Sequence, residues 1–341
     1  MLFRSSTRVL LGHGSGGKLS ANLLSEVFLR VFRSPVLERM EDQAVVNIGG
    51  ARVAFTTDTF VVKPLFFRGG DIGSLAIHGT VNDLAMGGAE PLFLSTGFIL
   101  EEGLEMDTLQ RVAESMAAAA QAAGVEIVTG DTKVVEKGSG DGLFINTTGI
   151  GIVRDGVNLS AANARPGDRI IVSGTLGDHG IAILSEREGI GFDGTIASDS
   201  APLHTLVRAM LDADTNAGIR CMRDPTRGGL ASSLNEIAAR AKVGMELNES
   251  AIPIREEVRG ACEMLGLDPL YVANEGKLVA VVAPEAVDSV LAAMNAHDLG
   301  KEAWVIGTVT PKHPGLVTAR TPFGTTRIVD MLSGDQLPRI C

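Results

Sequence analysis

AVVNIGGARVAFTTD, residues 44–58, sets two β-prone runs on either side of Gly49-Gly50. Paired glycines between such runs signal a hairpin, because the tight connection needs the positive φ that glycine adopts without steric cost. A sheet begins here. PLFLSTGFIL, residues 91–100, reads as a further strand opening at Pro91. Residues 107–123 carry a helical pattern, with Asp107 as the expected N-cap and Gly124 as the stop. VEIVTG (125–130) and LFINTTGIGIV (143–153) follow as strands.

Between Arg154 and Arg169 the sequence RDGVNLSAANARPGDR is polar and rich in turn formers, which marks a domain boundary. Strands resume at RIIVSG (169–174). Helical patterns (177–188, 202–211, 228–241, 256–265, 284–297) then alternate with strand-like runs (277–283, 303–310, 316–320), an α/β or α+β order. The expected division is a glycine-rich arm over 1–40, an N-terminal domain over 41–155 and a C-terminal α/β domain over 165–330. MLSGDQLPRIC, residues 331–341, has no amphipathic period and carries Gly and Pro, so it is expected to be a mobile tail.

Composition agrees with two domains: 341 residues, 45% of them apolar, exceed the usual size of one core. Net charge is -11, from 41 acidic and 30 basic residues, with no Lys/Arg-rich run and only one Trp and one Tyr. That excludes the basic patch and the aromatic platform that nucleic-acid binding needs, and it disfavours anionic membranes. No stretch approaches the roughly 20 apolar residues of a membrane span, and Arg4 and Arg8 interrupt any signal-peptide core, so a cytoplasmic protein is expected. Three cysteines make no disulfide framework and no C-x-x-C metal pair. Cys221 and Cys262 have the surroundings of small core residues, whereas Cys341 does not.

LGHGSGGKLS, residues 11–20, could carry phosphate chemistry: Gly16 and Gly17 permit close backbone approach to phosphate oxygens, and Lys18 can neutralise them. Taken alone, the same stretch reads equally as a flexible arm. Asp42, Asp58, Asp83, Asp131 and Asp224 each lie among small residues or turn formers. Carboxylates converging from separate loops hold Mg²⁺ against nucleotide phosphates, because that ion demands oxygen ligands and keeps some waters. Singly they read as caps or turns: Asp224 precedes Pro225, and Asn82-Asp83 suits the cap of a short helix. Lys133, expected where a strand ends in a polar loop, and Glu275, just before a strand, are ordinary solvated residues if separate and a proton-moving pair if together. A free thiol has a pKa of about 8.5, which a neighbouring carboxylate raises and Arg339 lowers, so Cys341 is expected to be mostly thiol. It is either a harmless terminal residue or a nucleophile on a swinging carrier.

HGSGGK, MEDQA, TTDTFVVKPLFFRGGDIG, GTVNDLAMGGAEP, GDTKVV, DPTRGG, ANEG and the terminal PRIC together closely resemble the HypE family, the carbamoyl dehydratases of nickel-iron hydrogenase maturation. The resemblance covers essentially the whole chain. PRIC separates it from sister ATP-binding enzymes such as selenophosphate synthetase and aminoimidazole ribonucleotide synthetase. In selenophosphate synthetases the arm often carries a cysteine or selenocysteine where Ser15 stands here.

The resemblance implies a two-domain α/β protomer whose N-terminal domains pair into a β-barrel in a homodimer, with ATP bound in a cleft formed across the dimer. It implies that Asp42, Asp58, Asp83 and Asp224 hold Mg²⁺ and phosphates, with Gly16, Gly17, Lys18, Asn82 and Asp131 on the nucleotide side. Cys341 would accept a carbamoyl group from a carbamoyltransferase of the HypF type. ATP-driven dehydration, with proton removal by Lys133 and Glu275, would leave a thiocyanate, and the cyano group would pass to iron on a HypC–HypD type complex. Two other readings stay open: a phosphotransferase of the same superfamily acting on free selenide or an amide, and a non-enzymatic metal or scaffold protein whose tail cysteine docks a partner.

Overall fold

The structure, a computed structural model, describes residues 8–190, 196–334, 337 and 339–341. The arm is helical where the sequence suggested a glycine-rich segment: α1 (Lys18–Leu23) runs through a π-helical turn, Leu24–Leu29, into α2 (Arg30–Phe32).

The hairpin of β1 (Ala44–Ile48) and β2 (Ala51–Phe60) turns at Gly49 and Gly50, both at positive φ, with Ile48 opposite Ala51. After the short β3 (Phe66–Phe67) and β4 (Gly70–Asp71) comes α3 (Ile72–Met86), whose extent the sequence hid. Its cap is Asp71, which accepts hydrogen bonds from the amides of Gly73 and Ser74. Asn82 and Asp83 lie inside this helix, not at its start. Because α3 is buried on all sides, it has no polar face to give it a readable period.

β5 (Ala89–Glu101), α4 (Met106–Ala123), β6 (Glu126–Val135) and β7 (Leu143–Val153) complete a five-stranded sheet of order β1-β2-β7-β5-β6. The N-cap of α4 is Glu105, and Asp107 sits in the first turn, where its charge still complements the helix dipole. Lys133 lies within β6 rather than in a loop after it. One face of the sheet packs on α3. The other leaves Phe55, Phe93, Ile99 and Ile150 exposed.

The second sheet is covered on both faces. It is built from β8 (Arg169–Val172), β9 (Ile219–Arg223), β10 (Gly244–Asn248), β11 (Val279–Val282), β12 (Trp304–Thr310), β13 (Val317–Arg320) and β14 (Thr326–Ile328), in the order β14-β13-β10-β12-β8-β11-β9. Its helices are α5 (Asp178–Glu188), α6 (His204–Ala213), α7 (Gly229–Ala241), α8 (Glu256–Leu265) and α9 (Val287–Asn295). Ile170, Val172, Val279 and Val281 pack with Leu230 and Leu234 of α7; Ile171, Ala280 and Val282 pack with α6 and α9. Burial on both faces makes β11 an uninterrupted apolar run. Cys221 and Cys262 are buried core thiols, as their surroundings suggested. Among the described residues no helix is long and apolar enough to cross a membrane.

The described residues of the tail, which is expected to be mobile, are seated here against the first domain. Val61 N–H donates to the Cys341 carbonyl at 3.0 Å and Lys63 N–H to the Arg339 carbonyl at 3.3 Å. Ile340 and Cys341 are buried in the cluster that holds Phe60, Val62 and Phe67.

Candidate functional site

Alternation along β2 turns Thr56, Asp58 and Phe60 toward α3, where Gly79 and Asp83 stand one helical turn apart. Glycine is needed at 79: a Cβ there would lie 3.0 Å from the Phe60 ring and 3.7 Å from Asp58 Oδ2. The Thr56 hydroxyl donates to Asp83 Oδ2 at 2.6 Å. From the second domain, the end of β9 supplies Arg223 and Asp224, and the loop before β11 supplies Glu275.

Asn274 fixes that loop. Its Oδ1 accepts from Gly177 N–H at 2.7 Å, and its Nδ2 donates to the carbonyls of Pro225 (3.0 Å) and Val272 (3.1 Å). Glu275 is held by its backbone, donating N–H to Asp199 Oδ1 at 3.0 Å and accepting from Asn82 Nδ2 at 3.1 Å. Its side chain is only 2% exposed, and Oε1 has no hydrogen-bond partner.

These groups line one cavity of about 390 Å³ between the domains. Asp42, Asp58, Asp83, Asp224, Glu275 and Cys341 border it, with the arginines Arg223 and Arg227. Apolar Leu24, Leu29, Val36, Leu37 and Met40 border it too, so it can receive a planar apolar group and a polar one together.

Burial first, and then the like charges of Asp58, Asp224 and Asp42, push the Asp83 carboxyl well above its ordinary range. Asp224 is pushed the same way by burial and by Asp42 and Asp58, and Glu275 by burial and by Asp224, Asp199 and Asp58. Burial raises Asp42 despite its ion pair with Arg223, and it lifts Glu236 to about 7. Acids crowded in this way hold protons until a cation offsets their charge. Among the described residues no three acidic, His or Cys side chains form a preformed metal group. Such a set suits Mg²⁺, which takes one or two carboxylates and fills its shell with phosphate oxygens and water.

The Cys341 thiol is pushed up to about 12, chiefly by burial, with Arg227 opposing and Glu275 and Asp58 adding to the rise. Arg339, expected to lower it, is ion-paired with Asp141 and donates from Nε to the Val61 carbonyl at 3.1 Å. The cation beside the thiol is Arg227.

Of the residues singled out in the sequence, Asp42, Asp58, Asp83, Asp224, Glu275, Cys341 and Gly16 meet at this cavity. Lys133 and Asp131 do not: they pair with each other at 2.6 Å on β6, with side chains 70% and 73% exposed. Lys18 pairs with Asp330 Oδ2 at 2.5 Å, and Gly17 packs against the Leu332 carbonyl. Asn82 is structural, since its amide is used on the backbone of Ala201, Leu203 and Glu275. Sequence reasoning passed over Arg223 and Arg227, although both flank Asp224 in RDPTRGG, as well as Asn274 and the buried His179.

Residues 40–153 match the N-terminal domain of AIR synthase related proteins, and residues 165–318 match their C-terminal domain. The chain is 58% identical over 329 residues to carbamoyl dehydratase HypE of Azotobacter vinelandii, covering 96% of each. A crystal structure of HypE in complex with ATP superposes with a TM-score of 0.82 at 49% identity, covering 98% of this chain and all of that one. The HypE of a HypE-HypF complex superposes with a TM-score of 0.86, also at 49% identity, over 91% and 99% of the two chains.

Proposed function

We propose, on the premise that this chain belongs to the carbamoyl dehydratase HypE family of AIR synthase related proteins, that it converts an S-carbamoyl group on Cys341 to a thiocyanate at the expense of ATP. The observation that carries this reading is the placing of Cys341 in the same cavity as Asp58, Asp83, Asp224 and Glu275.

When bound, Mg-ATP supplies the phosphoryl group that turns the carbamoyl oxygen into a leaving group and the cation that offsets its charge. Asp42, Asp58, Asp83 and Asp224 are the residues to hold it, and the apolar residues of the arm suit the base. The C–O bond breaks with its electron pair on oxygen, two N–H bonds break, and their electron pairs complete the C≡N bond. Glu275, beside the thiol, is placed to take one nitrogen proton, and Arg227 favours its carboxylate form. Lys133 is the candidate for the second. It faces outward on its own protomer, so it reaches a cleft only across a homodimer, formed by pairing the exposed apolar faces of two five-stranded sheets into a barrel.

A docked thiol raised to about 12 is a poor nucleophile, so carbamoylation belongs to a released tail at a HypF-type carbamoyltransferase. The HypE-HypF complex among the relatives supports that partner. A HypC–HypD type complex in the cytoplasm is the proposed acceptor of the cyano group.

Single-turnover reaction of protein already carbamoylated on Cys341 tests the function: ADP and thiocyanate should form one to one. ATP turnover that continues after removal of residues 331–341 would instead indicate a phosphotransferase acting on a free substrate. ATP consumption that never yields a nitrile would indicate the scaffold role.

A further inference from the structure

We propose that His179 is the positioning residue of this reaction, latching the tail through the Ile340 carbonyl so that Cys341 stands beside Glu275. The inference rests on the reading that the docked tail is the reacting state.

His179 is the second residue of α5 and is completely buried. Its Nε2 lies 2.8 Å from the Ile340 carbonyl, the last peptide carbonyl before Cys341, and its Nδ1 lies 2.8 Å from Ser198 Oγ. A carbonyl can only accept, so Nε2 carries the proton and Nδ1 accepts from the serine. Ser198 is itself anchored: its Oγ accepts from Ser200 N–H at 3.1 Å, and its own N–H donates to the Arg68 carbonyl at 2.8 Å. The ring also meets Phe67 edge-on, with centroids 5.7 Å apart. One imidazole therefore joins both domains and the tail.

Helix α5 is registered against the loop that carries Glu275. Gly180 N–H donates to the Ala273 carbonyl at 3.1 Å, and a Cβ at Gly180 would lie 2.4 Å from Val272 Cγ1. Farther along α5, Arg187 donates to the Arg339 carbonyl at 2.7 Å. The same helix thus grips two successive tail carbonyls, but only His179 does so from a fully buried site next to the cysteine. Leaving this buried carbonyl unsatisfied should displace the docking equilibrium by about 5- to 150-fold.

The test follows Cys341 by two readouts in the full-length protein: its alkylation by iodoacetamide, with buried Cys221 and Cys262 as internal references, and nitrile formation from the carbamoylated tail. His179→Leu should speed alkylation about tenfold and slow nitrile formation about tenfold. Nucleotide affinity and carbamoylation by the transferase should stay unchanged. His179→Gln, whose amide can present a donor near the position of Nε2, should stay close to wild type, whereas His179→Asn should behave like Leu. The proposal is overturned if Leu matches wild type in both readouts, or if Gln and Asn alkylate at the same rate; that second comparison decides the matter even if the Leu variant does not fold. Alkylation requires no turnover, so wild-type protein that makes no nitrile would count against the reaction and not against the latch.

Discussion

Glu275 and Lys133 look alike in the sequence, each a charged residue beside a strand, and they occupy opposite environments in the fold. Glu275 is buried, its backbone clamped by Asn82 and Asp199, with one carboxyl oxygen free of hydrogen bonds. Lys133 is exposed on β6 and neutralised by Asp131 two residues away. A buried acid among like charges is poised to exchange a proton, whereas an exposed ion pair contributes little. One protomer therefore brings the thiol, the clustered acids and Glu275 to one cavity. Lys133 lies on the exposed apolar face of the sheet, beside Ile99.

The largest effect expected from this contrast is that of Glu275→Gln. It should slow dehydration of the carbamoylated tail by about 10²–10⁴, the usual contribution of a positioned base, while carbamoylation continues at its normal rate. Rapid-quench measurement of thiocyanate checks it, and an unchanged rate would break the comparison.

Lys133→Ala should lower the same rate by about 10²-fold, at the weaker end of that range. Mixing Lys133→Ala with Glu275→Gln protomers sharpens the point. In a mixed dimer one cleft regains both intact residues, so activity should return. No recovery on mixing would confine Lys133 to its own protomer.

Asp83→Asn should weaken Mg-ATP binding about tenfold, as read by calorimetry. It should also make the nucleotide-free protein more stable, by about 1 kcal/mol in thermal unfolding near neutral pH, because folding no longer has to protonate a carboxyl that is ionised in the unfolded chain. A drop in stability would show that the acids are not in mutual repulsion.

A further effect, confined to alkaline solution, concerns pH. Docking raises the Cys341 thiol to about 12, against about 8.5 for a free thiol. Docking is therefore fully favoured below about pH 8.5 and weakens as pH rises toward 12, by about 30-fold at pH 10. The Ile340 methyl resonance should move toward its unfolded position over that range, and Cys341→Ala should abolish the pH dependence.

How much of this was legible follows from burial. The hairpin over 44–60 could be read because its glycines turn between β-prone runs, and the acids because several of them fall at turns at once. α3 was hidden because a helix buried on every side shows no period, so Asp83, although grouped with the other acids, could not be placed in the middle of a helix. Lys133 was assigned to a loop because GDTK looks like a turn, yet the polar exposed strand continues through it to Val135. The docked tail left no trace in the sequence, since what holds it are main-chain hydrogen bonds and side chains far away in the chain, Asp141, His179 and Arg187 among them. His179 was equally silent, because its partners are a carbonyl and a hydroxyl far away in the chain.

The central claim, that Cys341 carries the substrate into the acidic cleft, is tested most directly by intact mass after incubation with ATP, a carbamoyl donor and the transferase. Wild-type protein should first gain a carbamoyl increment and then convert it to a nitrile increment on Cys341, with one ADP for each nitrile. A carbamoyl increment that persists while ATP is consumed, or a nitrile on any residue other than Cys341, would contradict the account.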